Sequence, residues 1–265
     1  MTPPILLTGG TGTLGRLVAP LLRQAGHDVR ILSRHPQKPA EGLEFVTGDL
    51  ATGEGAEAAV AGVRTIVHCA GSTTGDDDKT RNLVRAAERA DKPHLVSISV
   101  VGADRVPVVS AVDRAMFGYV AAKRAAEQVI EDSGLPWTTL RASQFHDLIL
   151  VTVRGLTKLP VVPVPAGIKA QPIDAGEVAA RLVELALGEP AGPVPDIAGP
   201  RVYGLDELVR SYLRATHRRR PLVTIRFPGA AARAFRAGAN LAPDRAVGHR
   251  TWEDFLAERV PVIVR

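Results

Sequence analysis

Residues 5–26 read "ILLTGGTGTLGRLVAPLLRQAG", a short apolar run followed by a glycine cluster and an amphipathic stretch. Between a strand and a helix, glycines at the GxGxxG spacing found from Gly10 to Gly15 permit a tight turn and let backbone amides approach a pyrophosphate. Arg16, rather than a lysine, follows the last glycine, which excludes the phosphate loop of nucleoside triphosphatases. The stretch therefore predicts a dinucleotide-binding turn. Its predicted binding residues are Gly9, Gly10, Thr11, Gly12, Thr13, Leu14 and Gly15.

Outward from this turn, short apolar runs alternate with helical patterns as far as Arg141. This rhythm predicts the α/β class, with a Rossmann-type doubly wound parallel sheet over residues 1–142. The rhythm then breaks, and residues 143–265 are predicted to form a small, mainly helical C-terminal substrate lobe, of which about 174–198 packs back on the sheet. The predicted strands are Ile5 to Thr8, Val29 to Ser33, Leu43 to Val46, Thr65 to Cys69, Leu95 to Ser99 and Thr138 to Arg141.

The composition restricts the class of protein. The only cysteine, Cys69, excludes an internal disulfide, and no apolar run approaches the roughly 20 residues needed to span a membrane. No basic segment precedes Ile5, so we expect no signal peptide and a cytoplasmic location. Residues 201–265 carry 13 Arg against 6 acidic residues, but these charges are dispersed and no nucleic-acid motif accompanies them. We interpret them as a solvated surface and expect no nucleic-acid partner.

The end of the second predicted strand indicates which dinucleotide is bound. An acidic residue there would bind a ribose 2′-hydroxyl, but residues 29–40 contain neither Asp nor Glu. Ser33 and Arg34 stand at this position, and an arginine pairs well with a 2′-phosphate. The sequence therefore favours NADP(H) over NAD(H).

Candidate catalytic residues lie in "GYVAAKRAAEQVI" and at the end of the fifth strand. Tyr119 and Lys123 are four residues apart, which places them on one face of a helix. A nearby ammonium stabilises a phenolate, so this pair suits a reduction in which Tyr119 delivers a proton and Lys123 tunes it and holds the cofactor ribose. Ser99 is the candidate for a second hydrogen bond to a substrate carbonyl.

Together these residues resemble the short-chain dehydrogenase/reductase superfamily, and more closely its atypical NmrA-like, NAD(P)-binding branch. The resemblance rests on "TGGTGTLG" (8–15), "SRHP" (33–36), "GDL" (48–50), "CAG" (69–71), "SISVVGADR" (97–105), "YVAAK" (119–123) and "LRASQFHD" (140–147), and covers about the first 150 residues well. It departs from the family pattern at "CAGS", where many members have an Asn-Ala-Gly arrangement. The resemblance implies that Asp49 and Leu50 flank the adenine, that Ala70 and Gly71 line the cofactor path, and that Gln144, Phe145 and His146 face the nicotinamide or the substrate.

Two functions follow from this pattern. The first is an NADP(H)-dependent oxidoreductase that reduces a small, apolar carbonyl, enone or quinone. The alternative is a non-catalytic NADP(H)-binding redox sensor, as some NmrA-like proteins are, with a regulatory protein partner. The missing acid and short C-terminal region count against a nucleotide-sugar epimerase or dehydratase. A second copy of the chain is a further candidate partner, and "DDDK" (76–79) is interpreted as the start of a helix rather than a metal site.

Overall fold

The computed structural model describes residues 3–38, 40–71 and 75–260. Its main sheet has the strand order β3-β2-β1-β4-β5-β6-β9, and every neighbouring pair with a described register is parallel. The order reverses between β1 and β4, and in such sheets ligands bind outside the carboxyl ends of the strands at that reversal. The strands are β1 (Ile5–Thr8), β2 (Val29–Ser33), β3 (Leu43–Thr47), β4 (Thr65–His68), β5 (His94–Val100), β6 (Trp137–Ala142) and β9 (Gly192–Pro193).

Helix α1 (Gly15–Gln24) packs against β1 and β2 of this sheet through an apolar stripe. Its residues Gly15, Val18, Ala19 and Leu22 are buried, which is the spacing of one helix face. Strand β1 is buried along its whole length, as expected for a central parallel strand. The other α-helices are α2 (Ala56–Val60), α3 (Asp76–Arg89), α4 (Ala111–Glu131), α5 (His146–Leu156), α6 (Ala175–Leu187), α7 (Leu205–Ala215), α8 (Ala230–Arg236) and α9 (Trp252–Arg259).

The chain forms two compact units. The first comprises residues 1–99, 118–141 and 176–195, and it contains the main sheet. The second comprises residues 100–117, 142–175 and 196–265, of which the structure describes those up to 260. Its core includes buried aromatic side chains of Tyr203, Trp252 and Phe255. It also holds two small sheets, one of β7 (Val162–Pro165) with β11 (Leu222–Ile225) and one of β8 (Lys169–Ala170) with β10 (Tyr203–Gly204), and a 3-10 helix at Pro243–Arg245.

The predicted α/β class with a parallel Rossmann-type sheet is confirmed. The unit boundaries differ from the predicted division at residue 142 in one respect, since residues 100–117 belong to the second unit. The Asp113 carboxylate explains this, because it accepts a 3.0 Å hydrogen bond from the Ala231 amide. Residues 176–195 belong with the main sheet, where β9 pairs with β6. No helix in the described ranges is both long enough and apolar enough to cross a membrane.

The packing of α1 on the glycine turn predicts that Gly15→Ala destabilises the fold. A β-carbon at Gly15 would lie 2.6 Å from the Gly10 Cα and closer still to the Gly9 carbonyl oxygen. We expect the free energy of unfolding, measured by urea titration, to fall by roughly 1–3 kcal/mol, the usual cost of overpacking.

The control is Gly155→Ala in α5, where a β-carbon would meet nothing within 4 Å. Because alanine has a higher helix propensity than glycine, this variant should be more stable than the wild type by about 0.5–1 kcal/mol. If Gly15→Ala were as stable as Gly155→Ala, the tight packing described for the turn would be incorrect.

Candidate functional site

The turn after β1 closes by direct backbone contact. Gly9 has a φ of +69°, which disfavours any other residue, and a β-carbon there would lie 2.6 Å from the Ala70 nitrogen and the Cys69 carbonyl carbon. Glycine is therefore required at Gly9 for two independent reasons, conformation and space. The turn is held against the residues that follow β4, at the point where the strand order reverses.

The same turn leaves amides available to a ligand. The Gly12 amide donates to the Gly9 carbonyl at 2.9 Å, and the Arg16 amide donates to the Gly12 carbonyl at 3.1 Å. In the part of the chain that the structure describes, the amides of Thr13 and Leu14 donate to no protein group. Both precede the first residue of α1, where the helix dipole favours negative charge. This arrangement fits the phosphates of a dinucleotide.

At the end of β2, Ser33 and Arg34 have different environments. The Ser33 hydroxyl is buried and donates to the His35 carbonyl at 2.8 Å, so it closes a local turn. Arg34 is exposed. The arginine, and not the serine hydroxyl, is therefore available to a ligand at this strand end.

Hydrogen bonds within the segment after β3, and from Asn82 of α3, fix its conformation. One Asp49 carboxylate oxygen accepts from the Ala51 amide at 2.9 Å, while the Asn82 side chain donates to the Leu50 carbonyl at 2.8 Å. The Leu50 side chain is buried in the core of the first unit. Asp49 thus shapes the turn, and its predicted place beside an adenine stays a prediction.

A hydrogen-bonded chain that the sequence analysis missed links the strand ends at the reversal. His68 Nδ1 lies 2.7 Å from the Thr8 Oγ1, and its Nε2 lies 3.3 Å from the Thr80 Oγ1. Because the Thr80 hydroxyl donates to the Asp76 carbonyl at 2.7 Å, we assign the His68 proton to Nε2. Burial and the Lys123 charge lower the pKa of His68 to about 4, so the ring is neutral. A histidine ending the apolar run "TIVH" was the available sequence signal.

Tyr119 and Lys123 do lie together on α4, as their spacing predicts. The Lys123 ammonium is 5.7 Å from the centroid of the Tyr119 ring. The tyrosine is 37% exposed, whereas the lysine is only 6% exposed. Burial of the phenol raises the pKa of Tyr119; the Lys123 charge acts in the opposite direction and the Asp76 charge adds to the increase.

Asp76 is a second residue of this edge that the sequence did not single out. One of its carboxylate oxygens lies 3.1 Å from the Lys123 ammonium, and the pair is buried. The following acids, Asp77 and Asp78, instead pair with Arg81 at 3.5 and 3.8 Å on the surface of α3. Their places in the first turn fit the predicted helix start. Among the described residues no cluster of His, Cys, Asp or Glu could hold a metal ion.

Ser99 points into the first unit rather than to the surface. It is 4% exposed and lies beside Glu127. Burial opposes ionisation of Glu127, but hydrogen bonds from Arg141 and Arg124 outweigh it and hold the pKa of this carboxyl below its usual range. The two hydrogen bonds from Arg141 are 2.8 Å long. Ser99 as a partner of a substrate carbonyl stays a prediction.

Gln144 and Phe145 follow β6 in the second unit, and the structure uses both in its framework. The Gln144 side chain accepts from the Gln171 amide at 3.2 Å and donates to the Asn240 carbonyl at 3.3 Å. Phe145 precedes α5 and forms an isolated bridge with Ile173. Their predicted contact with a substrate stays a prediction.

His146 does not fit the expectation that it contacts a substrate. Its exposed fraction is 0%, and its ring stacks on Phe255 at a centroid distance of 5.0 Å. Neither ring nitrogen has a hydrogen-bond partner within the described ranges. Burial is the main cause that lowers the pKa of His146 to about 4, so it is a neutral member of the aromatic core.

These features can be compared with known proteins. A family described as "NAD(P)H-binding" matches residues 9–187, which is more than half of the chain. The chain belongs to this NAD(P)H-binding family. The match begins at Gly9 of the turn described above and includes Tyr119, Lys123 and Asp76.

Relatives within the family have similar sequences over part of their length. A protein named "(4-alkanoyl-5-oxo-2,5-dihydrofuran-3-yl)methyl phosphate reductase" from Streptomyces griseus is 32% identical over 161 residues, which are 60% of this chain and 54% of that protein. An NAD(P)H azoreductase from Xenophilus azovorans is 27% identical over 185 residues, 68% of this chain and 62% of that protein. The chain spans about half the length of the first curated relatives it matches.

Solved structures share the fold. An NADPH-dependent quinone oxidoreductase from Escherichia coli, in complex with NADPH, superimposes with a TM-score of 0.80 at 18% identity, covering 96% of this chain and 99% of that one. A Citrobacter triphenylmethane reductase with NADP(H) gives a TM-score of 0.75 at 19% identity, covering 97% and 100% of the two chains. At this identity the likeness shows the fold alone.

The buried state of His146 predicts a specific loss of stability in acid. Unfolded histidine has a pKa of about 6.5, so the unfolded chain binds this proton first as the pH falls. Neutral His146 therefore contributes up to about 3 kcal/mol to the free energy of unfolding above about pH 6.5, and this contribution is lost as the pH falls to about 4. His146→Phe should keep the pH 7 stability and show a smaller loss between pH 7 and pH 4.5, measured by urea unfolding.

The exposed His35 provides the control. We expect His35→Gln to lose as much stability as the wild type over this pH range. An equal loss in His146→Phe would contradict the placement of His146.

Proposed function

We propose that this protein is an NADP(H)-dependent oxidoreductase of the short-chain dehydrogenase/reductase superfamily, of the NmrA-like type, that reduces a small carbonyl, enone or quinone. The observation that carries the proposal is the Tyr119–Lys123 pair, with the ammonium 5.7 Å from the phenol ring. A partly exposed phenol beside a buried ammonium suits proton delivery to a reduced substrate. Family membership and the reductases among its relatives support the same reading.

The dinucleotide would be held by groups at the carboxyl ends of the first two strands. The amides of Thr13 and Leu14, at the start of α1, would bind its phosphates. Arg34 would pair with the 2′-phosphate that distinguishes NADPH from NADH. The absence of acidic residues from 29–40 removes the group that would repel this phosphate.

The reaction divides between the cofactor and the protein. When bound, NADPH supplies a hydride to the substrate carbon. Tyr119 donates its proton to the substrate oxygen, so that the C=O double bond becomes a C–O single bond and new C–H and O–H bonds form. Lys123 stabilises the tyrosinate that remains, which recovers a proton from solvent. Gln144 and His146 are engaged in the framework of the second unit, so the proposed reaction gives them no contact with the substrate.

The role of Arg34 predicts the effect of Arg34→Ala on cofactor choice. A charge-assisted contact of this kind contributes about 1.5–3 kcal/mol, so NADPH affinity should fall about ten- to a hundredfold while NADH affinity stays unchanged. The dissociation constants can be measured by nicotinamide fluorescence. The control is Arg64→Ala, an exposed arginine just before β4, at the amino end of the sheet. If the ratio of the NADPH and NADH dissociation constants were unchanged in Arg34→Ala, the assignment of Arg34 to the 2′-phosphate would be contradicted.

The role of Tyr119 predicts hydride transfer that depends on its hydroxyl. NADPH deuterated at either face of nicotinamide C4 should transfer the label to at least one member of a panel of quinones, enones and aldehydes. Tyr119→Phe should lower this rate by about 100-fold or more. Tyr212→Phe, the same substitution in the core of the second unit, should retain the wild-type rate. Tight NADPH binding with no transfer to any substrate would favour the redox sensor instead.

A further inference from the structure

Asp76 and Lys123 form a buried ion pair to which the family match assigns no role. Asp76 is 2% exposed and its carboxylate oxygen lies 3.1 Å from the Lys123 ammonium. The two groups lie against the backbone at Gly71, where a β-carbon would be 2.9 Å from the ammonium and 3.2 Å from the carboxylate. The glycine therefore leaves the space in which the pair forms. A buried charge that lost its partner here would be strongly destabilising.

The position of Asp76 on α3 adds to this arrangement. It is the first residue of the helix, where the helix dipole stabilises a negative charge. Its carbonyl accepts the Thr80 hydroxyl, which connects it to His68. The backbone that carries the carboxylate is thus held within its own helix, while the carboxylate contacts Lys123 of α4.

The other charged and titratable groups around Lys123 leave Asp76 as its closest described counter-charge. His68, from β4, is neutral because its pKa is lowered to about 4 by burial. Burial raises the pKa of Cys69, at the end of the same strand, to about 12, so this thiol is also neutral. From α3, Lys79 lies 3.8 Å from the second Asp76 oxygen and adds positive charge. From α4 itself, Glu127 is engaged with Arg141 at 2.8 Å and with Arg124 at 2.9 Å.

The charge of Asp76 has a direct consequence for Tyr119. An ammonium beside a phenol favours the phenolate, and a carboxylate beside that ammonium offsets the effect. Burial raises the pKa of Tyr119, and Asp76 raises it further against the influence of Lys123. Asp76 therefore keeps the phenol protonated to higher pH than burial and Lys123 alone would, and the protonated phenol is the state that a proton donor requires.

We propose that Asp76 is a positioning residue, which fixes the Lys123 ammonium against the Gly71 backbone and offsets its charge so that Tyr119 remains a proton donor. The proposal rests on the role of Tyr119 in the proposed function. It assigns to the first acid of "DDDK" a task different from that of the two acids that follow.

The test is the ionisation of Tyr119 in protein without cofactor or substrate. Tyrosine labelled with ¹³C at Cζ reports ionisation, and the Tyr119→Phe spectrum identifies the Tyr119 signal among the three tyrosines. We expect Tyr119 to ionise at lower pH in Asp76→Asn than in the wild type. Asp78→Asn, the same change at an exposed residue of the same helical turn, should leave the pH of Tyr119 ionisation unchanged. Equal ionisation in Asp76→Asn and wild type would overturn the proposal.

Two further variants keep the test decisive if Asp76→Asn does not fold. In Lys123→Gln the unbalanced Asp76 should move Tyr119 ionisation to higher pH than in the wild type. In the double variant Asp76→Asn/Lys123→Gln, ionisation should return to lower pH than in Lys123→Gln. If these two variants ionise at the same pH, Asp76 does not act on Tyr119. Since none of these measurements uses turnover, they succeed or fail separately from the hydride-transfer experiment.

Discussion

The close approach of backbone to backbone at Gly9 and Gly15 is the constraint on which the first unit depends. No side chain fits at either position, because a β-carbon would meet main-chain atoms of the turn or of the segment after β4. With glycine there, α1 begins immediately beside the sheet. Its first amides then face the edge at which the order of the strands reverses. The binding edge is therefore a consequence of packing, and not of particular polar side chains.

A second layer of order is electrostatic. In the hydrogen-bonded chain from Thr8 through His68 and Thr80 to the Asp76 carbonyl, each donor meets an acceptor. This chain remains neutral up to Asp76, whose carboxylate then meets the Lys123 ammonium. The strand ends, the start of α3 and the face of α4 that carries Tyr119 are consequently connected within one unit.

Sequence patterns predicted the part of the fold in which local signals and packing agree. The first six strands appear within about two residues of their expected ends. The short strand β9 and the pairing of β11 with β7 were missed, because a few extended residues acquire a strand partner only through long-range contacts. The same reason explains residues 100–117, whose Asp113 contacts Ala231 far along the chain.

For the site, the spacing of Tyr119 and Lys123 carried the information, since four residues make one helical turn. The role of Asp76 could not be read from the sequence, because three consecutive acids look equivalent until one of them is buried. His146 illustrates the opposite limit: the family resemblance implied ligand contact, while the structure encloses the ring among Trp252 and Phe255.

The central claim, that the turn after β1 binds the dinucleotide phosphates, is tested most directly by amide chemical shifts. In ¹H–¹⁵N spectra of the protein titrated with NADPH, the amides of Thr13 and Leu14 should show the largest changes, and they should saturate with the fluorescence binding curve. Smaller changes should reach Gly71. If NADPH binds while these two amides keep their shifts, or if no amide responds, the account of the turn is contradicted.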